Sequence, residues 1–469
     1  MPRLFGTDGI RGVANRDLTP ELAMAVGRGL VATLGRGDAP YLIARDTRLS
    51  GEMLEAALVA GICAGGGDVD RAGILPTPAM AYLVRQLHRP CGVVLSASHN
   101  PIEDNGIKVF GPDGFKLPDE VEDRIEAAAA AGGDRPLGTA IGRAADFENA
   151  EELYLDYLMG LGLHPLSGLR VTVDCAYGAS YRVAPRLWRA LGAEVIPLHD
   201  DPDGAKINVA CGSTHPRPLV EAVLAHRADV GFAHDGDADR VIAVDERGEV
   251  VDGDLIMAIA ARDLAAEGRL RGGLVVATVM SNLGLERLLA AQAIRLERAR
   301  VGDRYVLERM QDLGASLGGE QSGHIIFLEE ATTGDGLLTA LHLADVMRRS
   351  GQPLSALAGG FQRFPQVLHN VVVGDRHRWE ADRDVRAAID DAETRLADQG
   401  RLLVRASGTE PLVRVMVEAH DAAEAEAVAA AVAQVIAARY GTATSGAGGA
   451  DAAGADGADG AGADGADVG

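Results

Sequence analysis

Ser98 lies in Leu95-Ser96-Ala97-Ser98-His99-Asn100-Pro101, directly behind the short apolar run Gly92-Val93-Val94-Leu95. A hydroxyl, an imidazole and a chain-turning Asn-Pro are thereby set at the end of a buried strand, where open α/β sheets bind their ligands. A second strand-like run, residues 229–233, ends in His234-Asp235-Gly236-Asp237-Ala238-Asp239-Arg240. Three carboxylates at alternate positions of an irregular turn can point inward together and supply the oxygen-rich surroundings preferred by Mg²⁺ or Ca²⁺. A nucleophile-type hydroxyl and a metal loop, each at a strand end, point to metal-assisted phosphoryl chemistry.

Each motif has a plainer alternative. Asp235, Asp237, Asp239 and Glu246 occupy positions 1, 3, 5 and 12 of an EF-hand. That reading fails at position 6, where the sharp turn needs Gly and the chain has Arg240. A solvated acidic turn is the remaining alternative. Serines at strand ends are commonly turn formers, but here His99 follows at once and Asn105-Gly106-Ile107-Lys108 brings an amine back after a turn. Among 45 basic residues only Lys108, Lys116 and Lys206 are lysines. An amine can titrate where a guanidinium stays charged. Next to a bound cation, Lys108 is expected to have its pKa lowered enough to exchange a proton with a reacting hydroxyl.

Two further segments carry groups for a polar, anionic ligand. In Gly318-Gly319-Glu320-Gln321-Ser322-Gly323-His324 a carboxylate, a hydroxyl and an imidazole alternate. On extended backbone Glu320, Ser322 and His324 face one side and suit adjacent sugar hydroxyls; the plainer alternative is a turn with a hydrogen-bonded His. Arg405-Ala406-Ser407-Gly408-Thr409-Glu410-Pro411, with Arg414 beyond, combines two hydroxyls, a permissive Gly and two guanidiniums that can address one phosphate. The opening Gly6-Thr7-Asp8-Gly9-Ile10-Arg11-Gly12 has a similar character. Asp46-Thr47-Arg48-Leu49-Ser50-Gly51 reads as a helix cap and salt-bridge element, with Ser50 the cap.

These segments need a scaffold, and strand-like and helical patterns alternate along the chain. Strands are expected at 41–44, 92–95, 169–173 and 274–278, and a strand-to-loop passage at 73–78. Helical spacing covers 53–64 and 178–191. A hairpin at 241–251 turns at 246–248, and a strand pair at 402–405 and 413–418 precedes a helix over 422–439. Alternation of this kind favours α/β units with a mostly parallel sheet. The 469 residues are too many for one core. Four domains are expected, 1–150 with the serine loop, 151–253 with the metal loop, 254–364 with the Glu-Gln-Ser-Gly-His loop and 365–440 with the phosphate cradle. The Ala/Gly/Asp tail 441–469 has nothing to bury and is expected to be disordered.

The chain is 47% hydrophobic without a run long enough to span a membrane, and its net charge of −23 argues against nucleic acid or an anionic membrane as partner. Cations for a phosphate ligand must then be concentrated locally. The four cysteines, Cys63, Cys91, Cys175 and Cys211, show no CxxC, so neither a zinc knuckle nor a disulfide framework is indicated. With no apolar signal segment at the N-terminus, a reduced cytoplasm fits best.

In order, FGTDGIRG, SASHNP, NGIK, DGDADR, GGEQSGH and RASGTEPLVRV resemble the motifs of the α-D-phosphohexomutase superfamily and span all but the tail. The first motif and the Gln of GEQSGH look like the branch acting on glucosamine phosphates. The resemblance implies three similar mixed α/β domains and a smaller C-terminal α+β domain around a central cleft. It implies that Ser98 is carried as phosphoserine and that Asp235, Asp237 and Asp239 hold one Mg²⁺ against it. By the same resemblance, Lys108, His99 and Arg11 join Ser98 in catalysis. Arg240, Glu320, Ser322 and His324 contact the substrate, and Arg405, Ser407, Gly408, Thr409 and Arg414 clamp the phosphate that is not transferred. The implied reaction interconverts glucosamine 6-phosphate and glucosamine 1-phosphate through glucosamine 1,6-bisphosphate, which is intermediate and activator, and supplies amino-sugar nucleotide and cell-wall precursor synthesis. The partner is then a small phosphosugar, and a homodimer is compatible with it. The alternatives are a phosphomannomutase or phosphoglucomutase, a phosphomonoesterase, and a metal-dependent phosphosugar sensor.

Overall fold

The computed structural model describes residues 3–132, 135–407 and 410–441. The chain divides into two compact units, Met1–Phe364 and Pro365–Gly469. The tail beyond Gly441 lies outside the described residues; Gly441 itself bridges to Val373.

The first unit holds three sheets. The first comprises β1 (Phe5–Gly6), β2 (Gly9–Val13), β3 (Tyr41–Arg45), β4 (Val69–Ile74), β5 (Gly92–Leu95), β6 (Asp104–Phe110) and β7 (Ala144–Asp146), in spatial order β1-β2-β6-β5-β3-β4-β7. The second has β8 (Arg170–Asp174), β9 (Glu194–Leu198), β10 (Val230–His234), β11 (Val241–Asp245) and β12 (Val250–Val251), ordered β12-β11-β10-β8-β9. The third has β13 (Leu274–Thr278), β14 (Arg295–Ala299), β15 (Leu317–Gly319) and β16 (Ile325–Phe327), ordered β14-β13-β15-β16.

These sheets are mixed, and only the third is mostly parallel. Each pairs parallel strands at its centre and then reverses: β5 runs antiparallel to β6, β10 to β11, and β15 to β16. The serine loop, the aspartate loop and the Glu-Gln-Ser-Gly-His loop are those three reversals. The fold thus repeats one topological position three times and places one motif at each. Residues 105–108, expected as a turn, are part of β6 with Val94 paired to Lys108.

Local chemistry explains the element ends. The Asp335 carboxylate caps the helix Gly336–Ser350 by accepting from the Leu338 amide at 3.0 Å. The helix expected from residue 178 begins only at Val183, because Ala176 and Tyr177 are left-handed and the chain turns before it can wind. Its Trp188 stacks on Phe232 of β10 at 5.2 Å, within a core shared by the three sheets.

In the second unit β17 (Gln366–Val372), β18 (Gly400–Ala406) and β19 (Leu412–Ala419) form an antiparallel sheet with β19 central. The helices Arg383–Leu396 and Ala422–Tyr440 pack their apolar sides with it around Val385, Val415, Val417, Val428 and Val432.

Candidate active site

The backbone of Ser98 is left-handed, with φ 52°. A β-carbon disfavours that conformation, which persists only where surroundings over-determine it. Here the buried guanidinium of Arg48 donates to the carbonyls of Ser98 (3.0 Å), Asn100 (2.8 Å), Asp104 (2.9 Å) and Pro101. Asn208 Nδ2 donates to the Ser98 carbonyl as well, at 2.8 Å. The Ser98 amide donates to Ser96 Oγ at 2.9 Å, and Ser96 Oγ donates to Asp46 at 2.6 Å. Asp46 in turn pairs with Arg48 at 3.0 Å. The salt bridge expected at 46–51 is present, whereas Ser50 makes no capping bond; its hydroxyl accepts from Asn105 Nδ2 at 2.9 Å.

So held, Ser98 Oγ donates to Asp235 Oδ2 at 2.5 Å and lies 3.3 Å from His99 Nδ1. Gly236 permits this approach, since a β-carbon there would stand 2.6 Å from the Ser98 carbonyl. Asp235, Asp237 and Asp239 are buried and each brings an oxygen within 4.8 Å of the others. Ala238, at φ 58°, turns the chain between them. Asp237 Oδ2 accepts from Thr77 Oγ1 at 2.6 Å, but Asp237 Oδ1 and Asp239 Oδ1 are buried with no hydrogen-bond partner. Burial, Asp239 and Asp237 together push the Asp235 carboxyl up to about 8. Three crowded carboxylates with unused lone pairs fit a hard divalent cation.

The Lys108 ammonium is buried and lies 2.8 Å from Asp237, 3.1 Å from Asp239 and 3.1 Å from Asp8. Burial and Arg11 pull its pKa down, but the three carboxylates outweigh them and hold it well above the ordinary lysine value. Anions surround the amine, and two of them, Asp237 and Asp239, are the groups that a metal ion would share. Asp8 also pairs with Lys116 at 2.5 Å and with Arg11, whose Nη1 donates to Asn100 Oδ1 at 3.0 Å. Burial, Arg240 and Arg11 push the His99 imidazole down to about 3, so it is neutral at pH 7. The Arg240 amide donates to Asp235 at 3.2 Å and its guanidinium stands 3.9 Å from Asp239.

Residues 320–323 are not extended. They form a tight turn in which Gly323 has φ 92° and its carbonyl accepts from the Val241 amide at 3.1 Å. Glu320 and Ser322 come together, with Ser322 Oγ donating to Glu320 at 3.3 Å and the Gly302 amide donating to its other oxygen at 3.1 Å. The His324 ring has its own hydrogen-bond partner, and the Glu320 charge still reaches it. It is buried behind the aspartate loop, its Nε2 accepting from the Gly334 amide at 3.0 Å and its Nδ1 lying 3.6 Å from Asp239. Burial alone would lower its pKa; Asp239, Asp303 and Glu320 raise it overall. The one-sided arrangement inferred from alternation fails because the backbone curls.

Within the second unit, Arg405 of β18 and Arg414 of β19 are direct cross-strand partners. Like charges opposite each other are unfavourable in a sheet unless something anionic lies between them. Arg414 pairs with Glu410 at 3.2 Å, and Ser407 Oγ accepts from the Glu410 amide at 3.3 Å. Gly408 and Thr409, expected in the same cradle, lie outside the described residues.

Sequence reasoning passed over Asp8, Thr77, Arg48, Lys116 and Asn208 as site residues. The scarcity of lysine pointed at Lys116; the others have partners far away in sequence.

The sequence matches the phosphoglucomutase/phosphomannomutase family in four segments: alpha/beta/alpha domain I over residues 2–135, domain II over 152–248, domain III over 252–364 and the C-terminal domain over 368–435. A phosphoglucosamine mutase of Symbiobacterium thermophilum is 57% identical over 437 residues, covering 92% of this chain and 97% of the relative. One of Moorella thermoacetica is 54% identical over 433 residues, covering 91% and 98%. Among solved structures, a phosphoglucomutase/phosphomannomutase family protein of Burkholderia thailandensis superposes with a TM-score of 0.79 at 25% identity, covering 93% of this chain and 97% of its own.

Proposed function

The chain belongs to the phosphoglucomutase/phosphomannomutase family, and from that premise we propose the reaction of its phosphoglucosamine mutase relatives. It is an isomerase that interconverts glucosamine 6-phosphate and glucosamine 1-phosphate, and its product class feeds amino-sugar nucleotide synthesis. The observation that carries the mechanism is the 2.5 Å contact of Ser98 Oγ with Asp235, inside a carboxylate cluster that has unpaired oxygens.

Ser98 carries the phosphoryl group. In the first transfer the bond from phosphorus to Ser98 Oγ breaks while a bond to the free sugar hydroxyl forms, giving glucosamine 1,6-bisphosphate. That sugar turns over, and Ser98 Oγ takes back the phosphoryl group from the other end. The proton lost by the sugar hydroxyl is balanced by the one regained when the other hydroxyl is released. Asp235, Asp237 and Asp239 would hold Mg²⁺, which when bound neutralises charge on the transferring group. Lys108 keeps Asp237 and Asp239 in place and adds positive charge at the same point. Neutral His99 presents a ring nitrogen to Ser98 Oγ. Arg11 and Arg240 bring guanidiniums to the reacting phosphate, and Glu320 and Ser322 receive sugar hydroxyls. Arg405, Ser407 and Arg414 take the phosphate that stays, together with Gly408 and Thr409.

Peptide mass analysis of the active protein tests this directly: one phosphate is expected on Ser98, and Ser98→Ala should lose nearly all mutase turnover. Wild-type turnover in that variant would sink the covalent mechanism. Turnover of glucosamine phosphates above mannose and glucose phosphates is expected, and the reverse order would favour a phosphomannomutase or phosphoglucomutase.

A further inference from the structure

A second group of potential metal ligands lies in the second sheet and shares no residue with the aspartate loop. Asp174 ends β8, His199 follows the end of the neighbouring parallel strand β9, and Cys211 lies in the connection toward the helix Arg217–His226. One carboxylate oxygen, one ring nitrogen and the thiol sulfur of these residues lie within 4.8 Å of one another. We propose that Asp174, His199 and Cys211 form a second cation site, selective for a thiophilic divalent ion of the Zn²⁺ class.

The surrounding chain is built to converge there. Asp174 is fully buried, and its two oxygens accept from the Ala176 amide (2.9 Å) and the Gly212 amide (2.9 Å). Oδ2 keeps a second lone pair for an ion, while Oδ1 also faces the His199 ring. His199 Nδ1 already lies 2.9 Å from Asp174 Oδ1, and the Tyr177 ring packs against its imidazole at 4.9 Å. His199, Ala176, Tyr177, Asn208 and Ala210 are all left-handed, with φ between 49° and 60°. Such conformations gather where a fold must aim several groups at one point. Cys211 is a buried free thiol whose sulfur lies 4.0 Å from the Lys206 carbonyl. His199, 22% exposed, gives an ion its entry.

The donor set decides which ion. Sulfur and imidazole nitrogen are softer than the all-oxygen set of the aspartate loop, so Mg²⁺ takes the latter and a Zn²⁺-class ion takes this one. Three protein ligands leave the fourth tetrahedral position to water. On binding, the Cys211 thiol gives its proton to solvent; thiolate, carboxylate, neutral imidazole and a divalent ion then sum to zero charge. A buried site of zero net charge avoids the main penalty of burial.

The test uses the full chain saturated with Mg²⁺ and titrated with Co²⁺, a spectroscopic substitute for Zn²⁺. One equivalent is expected to bind with a thiolate-to-metal charge-transfer band, and Zn²⁺ should displace it. Cys211→Ser should lose the band, and His199→Gln should bind Co²⁺ about tenfold or more weakly. Asp237→Asn, which alters only the aspartate loop, should keep both. His199→Gln also serves if Cys211→Ser fails to fold, because its side chain is partly exposed and the change leaves the core closed. Absence of the band from the wild type, its survival in Cys211→Ser, undiminished Co²⁺ affinity in His199→Gln, or loss of all Co²⁺ uptake in Asp237→Asn would each overturn the site.

Discussion

Lys108 is 1% exposed between Asp8, Asp237 and Asp239, so its role can be judged by what a guanidinium would do there. A flat, wider cation cannot meet three carboxylates at the distances one ammonium does. Lys108→Arg should therefore lower kcat by roughly 10²-fold, the scale of losing one preorganised electrostatic contact. If the amine acts through its charge alone, the pH–rate profile should retain both limbs. Loss of a limb would return Lys108 to the role of proton carrier. Ser98 and the three aspartates were legible in the sequence because each motif is contiguous and its chemistry is local. Arg48 was not, since its carbonyl partners are 50 to 56 residues on. The anions around Lys108 were equally hidden: two come from another sheet's loop, and proximity of that kind leaves no mark on spacing.

At the scale of elements, β18 and β19 set Arg405 directly opposite Arg414, the register on which the proposed phosphate contact rests. Arg405→Ala should raise KM for the phosphosugar by about tenfold, since a hydrogen bond to a charged group contributes roughly 1.5–3 kcal/mol, and should lessen the rise of KM with salt. An unchanged KM would remove these strands from substrate binding. Asp335, at the head of the helix Gly336–Ser350, is a different case. It is buried, accepts from Tyr154 Oη at 2.8 Å, and burial pushes its carboxyl up to about 6 from 3.8. A folded pKa above the unfolded one means the fold prefers the protonated form, so stability is lost as pH rises from about 4 through about 6. Asp335→Asn keeps the cap and removes the charge. It should gain about 1–3 kcal/mol over wild type between pH 4 and pH 8, from the energy equivalent of the pKa shift; chemical denaturation at the two pH values reads it, and an equal difference at both would refute it. Strands 92–95 and 274–278 were legible from apolar runs bounded by turns. The antiparallel reversals were not, because pairing direction is decided by long-range packing, and neither was β17, where buried and exposed residues follow no apolar run.

On the scale of the whole molecule, a net charge of −23 repels a phosphosugar, and the arginines and lysines gathered at the motifs offset that field locally. The division into two compact units makes a second statement about the whole chain. The residues up to Phe364 share a core that runs through several sheets, whereas those from Pro365 have a separate one around Val385, Val415 and Val428. Each unit carries one of the two tryptophans: Trp188 stacks on Phe232 in the first, and Trp379 is buried in the second with its Nε1 donating to the Arg376 carbonyl at 2.8 Å. Denaturant slopes scale with the surface exposed on unfolding. In Trp188→Phe the remaining Trp379 should therefore report a transition with a slope several-fold shallower than the one Trp188 reports in Trp379→Phe. Far-ultraviolet circular dichroism of the wild type should show both steps. Coincident midpoints and equal slopes from the two tryptophans would mean that the chain unfolds as one cooperative body, and that its two cores are not independent.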